Sequence, residues 1–120
     1  MTEQRPIRVL LIEDDAGVRR SLQLLLHGEG CDVHAFASTQ PALAGIGSWL
    51  PTHAVIDYRL PDGDGIEALG KLRAQGWTGP AVLITAFASE ELRQRADVAG
   101  FATVLAKPFA DSRLIETMRQ

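Results

Sequence analysis

His53-Ala54-Val55-Ile56-Asp57-Tyr58-Arg59-Leu60-Pro61-Asp62-Gly63 is the stretch whose reading decides the fold. Three apolar residues, Ala54 to Ile56, run straight into Asp57. Pro61 and Gly63 then break the backbone, and Asp64-Gly65-Ile66-Glu67 opens a helical pattern. The grammar is strand, carboxylate at the strand's end, loop, helix. In an open parallel sheet, ligands and chemistry gather at the C-terminal ends of the strands. Asp57 is therefore the reference point, and other strand ends are where its partners must lie.

Working outward, Ile7–Ile12 and Ala81–Thr85 are mostly apolar runs of the kind that strands buried on both faces need. Cys31–Phe36 alternates like an edge strand, and Ala102–Ala106 supplies a fifth. Helical patterns separate them. The first carries Val18, Leu22, Leu25 and Leu26 on one face, with Asp15 as N-cap and a stop at Gly28 and Gly30. A second is expected from Pro41 to Trp49, with Pro41 in its first turn. A third runs from Ile66 to about Gln75 behind an Asp64/Glu67 capping box. A fourth runs from a Ser89 cap to about Ala99 with a thin apolar face, Leu92, Ala96 and Ala99. Asp111 is placed to cap the last, where Leu114, Ile115 and Met118 face inward. Strict alternation of five strands and five helices predicts an α/β fold: a parallel sheet, helices on both faces, right-handed crossovers.

The bulk composition agrees. A length of 120 residues fits one domain with a full core, and no repeat, linker or low-complexity stretch divides residues 1–120. Hydrophobic content of 46% and charged content of 22% are those of an ordinary globular protein. A net charge of −3 gives no sign of nucleic-acid binding by this chain itself. The one cysteine, Cys31, excludes a disulfide framework and reads as a buried, inert thiol. No apolar run approaches the roughly 20 residues that span a bilayer, and Met1–Pro6 carries no signal-peptide pattern. The expected location is the cytoplasm, with no membrane contact.

Four strand ends carry polar groups: Glu13 and Asp14 after the first strand, Asp57 after the third, Thr85 at the fourth and Lys107 after the fifth. One edge of a parallel sheet would bring them together. Carboxylates so placed repel; two like charges about 4 Å apart cost roughly 4 kcal/mol at an effective dielectric near 20. Such a cluster wants a cation, and all-oxygen donors suit a hard ion such as Mg²⁺. A metal ion, a lysine and a hydroxyl around one carboxylate are the parts that hold a phosphoryl group in transfer. The carboxylate itself is the natural nucleophile, giving an acyl phosphate. Lys107 gains weight because the chain has two lysines against ten arginines.

These motifs together, Val9-Leu10-Leu11-Ile12-Glu13-Asp14-Asp15, Asp57 through Gly65, Thr85-Ala86 and Lys107-Pro108-Phe109, resemble the receiver domain of two-component response regulators over residues 7 to 119. The resemblance implies the flavodoxin-like doubly wound strand order 2-1-3-4-5. It puts the family's acidic pair on Glu13 and Asp14, its phosphoacceptor on Asp57, its switch hydroxyl on Thr85 and its lysine on Lys107. It implies Mg²⁺ held by Asp14, Asp57 and the backbone carbonyl of Arg59, and a cis peptide between Lys107 and Pro108. It also implies a sensor histidine kinase or phosphotransfer protein as phosphodonor. The output partner would be an effector domain, often DNA-binding and absent from this chain, or a homodimer through the face of helix 4, strand 5 and helix 5. One position departs: three residues before the lysine, where the family usually has Tyr or Phe, stands Val104.

Other readings stay open. An Asp-nucleophile phosphatase would need a second Asp two residues after Asp57, where Arg59 stands. A flavin binder would use the loop after the first strand for phosphate, and here that loop is Glu13-Asp14-Asp15. A pseudo-receiver that works without phosphorylation is the third, to which Val104 leaves an opening. The remaining polar residues read as structural. His27, His34 and His53 belong to the surface or helix ends, and Trp49 and Trp77 to packing. Asp62 and Asp64 suit turn and cap roles, while Glu90, Glu91, Arg93 and Arg95 suit a solvated helix face.

Overall fold

A computed structural model describes residues 6–119. Five strands, β1 (Arg8–Ile12), β2 (Asp32–Phe36), β3 (His53–Asp57), β4 (Ala81–Thr85) and β5 (Thr103–Ala106), alternate with five helices. The helices are α1 (Ala16–Gly28), α2 (Thr39–Gly45), α3 (Gly65–Ala74), α4 (Glu90–Ala99) and α5 (Asp111–Met118). All strand pairs in the main sheet are parallel, in the order β2-β1-β3-β4-β5. A small antiparallel hairpin, Arg59–Leu60 with Gly63–Asp64, sits between β3 and α3.

The period-2 alternation of each strand sorts its side chains between two cores. Val9, Leu11, Val55, Val82, Ile84 and Leu105 pack with Leu22 and Leu26 of α1 and Leu114 and Met118 of α5. Leu10, Ile12, Ala54, Ile56, Leu83 and Val104 pack on the other face with Ala42, Leu69, Leu72, Leu92 and Ala96 of α2, α3 and α4. Two helices on one face and three on the other follow from which strand each connection returns to. Among the described residues, no helix is long and apolar enough to cross a membrane.

Local signals placed three caps as expected. The carboxylates of Asp15 and Asp64 accept from the Val18 and Glu67 N–H groups, and the Ser89 hydroxyl accepts from that of Leu92. Two expectations need correction. Asp111 caps nothing: Ala110 holds the N-cap position and Asp111 is the first helical residue. Its charge still suits the positive end of the helix. The second helix starts at Thr39 and ends at Gly45 instead of spanning Pro41 to Trp49. Pro41 is its third residue, tolerated because the first-turn N–H groups lack intrahelical partners anyway. Beyond Gly45 the chain leaves the helix, and the Trp49 ring stacks on His34 at 3.7 Å while its Nε1 donates to Asp32 at 3.3 Å. β1, β2 and β5 each begin one residue later than the apolar pattern alone suggests.

Candidate functional site

The site is built where the strands end. Parallel pairing of Ile12 with Ile56, and of Asp57 with Ile84, puts Glu13 and Asp57 side by side at the edge of the sheet. Pairing of Thr85 with Ala106 brings Lys107 in from the far side, and its N–H donates to the Thr85 carbonyl at 2.7 Å. The Tyr58 N–H donates to the Ile84 carbonyl at 2.8 Å, which continues the ladder one residue past Asp57. The Lys107–Pro108 peptide is cis.

Glu13, Asp14 and Asp57 each present a carboxylate oxygen within 4.8 Å of the others. Glu13 is fully buried and Asp57 is 5% exposed, while Asp14 faces solvent. The Lys107 ammonium donates to Glu13 Oε1 at 2.8 Å and to Asp57 Oδ2 at 3.3 Å. The other Glu13 oxygen accepts the Asp15 N–H at 3.3 Å. Burial, and then the Asp57 carboxylate beside it, push the Glu13 carboxyl above its ordinary value against the pull of Lys107. Burial works against the Lys107 charge, but the Glu13 hydrogen bond and the charges of Asp57 and Glu13 outweigh it, so the ammonium is held above its ordinary value. The one ammonium thus pairs with two of the three carboxylates, Asp14 is left without it, and the excess is negative. Hard oxygen donors with one solvent-facing member are the donor set that Mg²⁺ takes, since that ion keeps several waters. The residues present fit the ion.

Thr85 is buried, and its hydroxyl exchanges contacts with the backbone of Phe87, 3.3 Å to the carbonyl and 3.4 Å from the N–H. Beside it lies a cleft of about 330 Å³ lined in part by Tyr58, Arg59, Ala86, Phe87 and Arg95. The Tyr58 hydroxyl accepts from Arg95 of α4 at 3.3 Å. Arg59 stands at the rim, its side chain exposed. Val104 is 9% exposed, packed in the α2–α4 core.

Three features escaped the sequence. Gly65 starts α3 against the end of β3: a Cβ there would meet the Asp57 carbonyl at 2.6 Å and Leu83 at 2.7 Å. Only glycine lets the helix come so near the carboxylate's own backbone. The Arg95–Tyr58 contact joins a helix read as merely solvated to the residue after Asp57. Asp62, read as a turn residue, is instead a cap: its carboxylate accepts the Thr39 and Gln40 N–H groups of α2 at 3.0 and 2.9 Å. Nothing in the residues around Asp62 marks a partner so far back in the chain. His53 also differs from expectation, being half-buried in β3.

Comparison with known proteins agrees with this geometry. The family model described as the response regulator receiver domain matches residues 9–119. A 14.6 kDa protein of Leptolyngbya boryana, named for its place in the sodA1 3' region, is 36% identical over 114 residues, covering 93% of this chain and 87% of that one. The transcriptional regulatory protein TrcR of Mycobacterium tuberculosis is 33% identical over 95% of this chain but only 44% of its own length. This chain likewise spans 24% and 49% of the DctD and KdpE transcriptional regulatory proteins of Rhizobium meliloti and Escherichia coli. Among solved structures, a CheY-like response regulator receiver domain protein from Methanospirillum hungatei superposes with a TM-score of 0.88 at 28% identity, covering 96% of this chain and 92% of that one. The chemotaxis protein CheY4 of Vibrio cholerae gives a TM-score of 0.90 at 25% identity, covering 96% and 98%. The chain belongs to the response regulator receiver domain family of two-component signalling.

Proposed function

We propose that Asp57 accepts a phosphoryl group from a phosphohistidine of a sensor kinase or phosphotransfer protein, with Mg²⁺ held by Glu13, Asp14, Asp57 and the Arg59 carbonyl. An Asp57 carboxylate oxygen forms the new P–O bond as the P–N bond to the donor's imidazole breaks, and the departing ring takes up a proton. The bound ion's contribution is to neutralise charge on the phosphoryl oxygens. Lys107, already bonded to Asp57, adds a fixed positive charge. The Thr85 hydroxyl is free to trade the Phe87 backbone for a phosphoryl oxygen, because both of its present contacts are long. The observation that carries the reading is the ammonium shared between Glu13 and Asp57 inside a three-carboxylate cluster.

The output reading follows from where Thr85 sits. Movement of the β4–α4 loop would be felt by α4, β5 and α5, and that face would meet an effector domain or a second copy of the chain. Val104 offers no large ring to flip, so α4 itself carries the change as a population shift. The Arg95–Tyr58 contact supports this reading, since it ties α4 to the residue beside Asp57. The regulators matched over half or less of their length are named as transcriptional, which supports an effector domain outside residues 1–120, acting in the cytoplasm.

The test is intact mass after treatment with acetyl phosphate and Mg²⁺. Wild type should gain one phosphoryl group, and Asp57→Asn none. Equal modification of that variant sinks the assignment; no modification of wild type would favour a module that works unphosphorylated.

A further inference from the structure

Asp62 occupies the two-residue turn of the hairpin that follows Asp57, between the paired residues Leu60 and Gly63. Both of its carboxylate oxygens are spent on the first two N–H groups of α2, at 3.0 and 2.9 Å. Ser38, in the N-cap position of that helix, makes no side-chain cap bond. The capping function has moved from the helix's own flank to a loop 22 and 23 residues further on. The other end of the hairpin is fixed as well. Asp64 caps α3 through the Glu67 N–H at 2.9 Å, and the Gly65 N–H donates to the Tyr58 carbonyl at 2.8 Å.

Arg59 lies between these two anchors, paired with Asp64. Of the four groups assigned to Mg²⁺, its carbonyl alone has no side chain to steer it. A backbone carbonyl is aimed only by fixing the chain on both sides of it. Mg²⁺ is strict in this respect, demanding near-octahedral geometry. Partners one shell out from a metal typically change its affinity 10–100-fold when removed.

We propose that Asp62 is a positioning residue for the metal site: by clamping the hairpin to the start of α2 it aims the Arg59 carbonyl, so that Mg²⁺ binding and the docking of α2 are thermodynamically linked. The proposal rests on the metal reading given above. Linkage is reciprocal. Whatever Asp62 adds to Mg²⁺ affinity, Mg²⁺ must add to the closure of the Asp62–α2 contact. The two N–H bonds hold the Asp62 carboxyl below its ordinary value, so the charged form is the one that makes the clamp.

The experiment is a Mg²⁺ titration of wild type, Asp62→Ala, Asp62→Asn and Asp14→Ala. Affinity is followed by calorimetry, and hydrogen exchange at the Thr39 and Gln40 amides by NMR. Asp62→Ala should bind Mg²⁺ about 10-fold more weakly, and Asp62→Asn, which keeps one neutral acceptor, should recover part of the loss. In wild type, Mg²⁺ should slow exchange at Thr39 and Gln40, and in Asp14→Ala it should not. A cap with a merely structural role would lower stability without moving the affinity. Wild-type affinity in Asp62→Ala, or exchange at Thr39 and Gln40 indifferent to bound Mg²⁺, overturns the linkage while leaving the metal site standing. Should Asp62→Ala not fold, Asp62→Asn and the wild-type exchange rates decide. Wild type that binds no Mg²⁺ removes the metal reading and this inference with it.

Discussion

At the N-terminal ends of the strands, polar side chains are closed by hydrogen bonds to backbone. The Arg8 N–H donates to the Thr52 hydroxyl at 2.8 Å and the Thr52 N–H to the Arg8 carbonyl at 2.8 Å. Arg8 Nε donates to the Leu50 carbonyl, Trp77 Nε1 to that of Pro51, and Arg73 to those of Trp77 and Gly79. At the C-terminal ends, three carboxylates cluster around one ammonium, which bonds two of them, Glu13 and Asp57. Every buried side-chain polar atom among the described residues has a hydrogen-bond partner, so the two ends differ in charge and not in hydrogen bonding. One end is closed and contributes stability. The other is left with an excess of negative charge that a cation, a proton on Glu13 or removal of a carboxylate relieves. Stability and function therefore sit on opposite edges of one sheet and should separate under mutation.

The largest effect should come from the closed end. Trp77 is 4% exposed, packs in the α2–α4 core and lies under Arg73, 5.1 Å from its ring centre. Trp77→Ala should cost about 3–5 kcal/mol of unfolding free energy, measured by urea denaturation. The folded fraction should still be phosphorylated by acetyl phosphate at the wild-type rate. A rate that fell with the stability would mean that the two ends are coupled after all.

Next comes Asp14, the exposed member of the cluster. Loss of a direct ligand should exceed the loss of an outer partner, so Asp14→Ala should weaken Mg²⁺ by at least about 100-fold and abolish phosphorylation. Stability in chelator should hold or rise, because a repelling charge is gone. Lys107→Ala should keep Mg²⁺, since one positive charge no longer opposes another, yet lose the coupling to Thr85. Calorimetric titration distinguishes the two variants; unchanged affinity in Asp14→Ala contradicts the site.

A smaller effect tests the same imbalance without mutation. Mg²⁺ bound to the folded state alone adds RT ln(1 + [Mg²⁺]/Kd), about 1.4 kcal/mol at ten times Kd. Wild type should gain this by denaturant melt, and Asp14→Ala should not. An equal gain in both would place the ion elsewhere.

The ease of reading each end from sequence follows from the range of the contacts involved. Continuous apolar runs mark β1, β3 and β4, alternation marks β2, and Asp15, Ser89 and Asp64 mark helix starts, because each signal lies within a few residues of its effect. Glu13, Asp57, Thr85 and Lys107 were legible because a parallel sheet forces strand ends to one edge whatever the order. The order itself came through resemblance, since periodicity carries no information about which strands are neighbours. Asp62 was illegible because Pro61-Asp62-Gly63 spells a turn with or without a distant helix to cap. Gly65 read as part of a helix start, although its need arises from the Asp57 carbonyl and Leu83, both outside its own helix. Pro41 drew the start of the second helix two residues late because first-turn positions are nearly equivalent for proline.

The smallest effect separates the two ends by the sign of their pH dependence. His53 starts β3 at the closed end, half-buried, with Nδ1 2.8 Å from the Thr52 hydroxyl. Burial holds its imidazolium below the ordinary 6.5. Between the folded value and 6.5 the unfolded chain binds more protons, so this contribution is fully present above pH 6.5 and is lost as pH falls through the folded value. Glu13 has the opposite sign. Its folded value lies above the ordinary 4.5, so the native state binds more protons there, and stability falls as pH rises through that window. Denaturation free energy measured in chelator from pH 4 to 7.5 should therefore rise from its middle toward pH 7, and part of that rise should vanish in His53→Asn. Asparagine keeps a donor for the Thr52 hydroxyl but cannot titrate. An unchanged slope between pH 5.5 and 7 in that variant would remove His53 as the source.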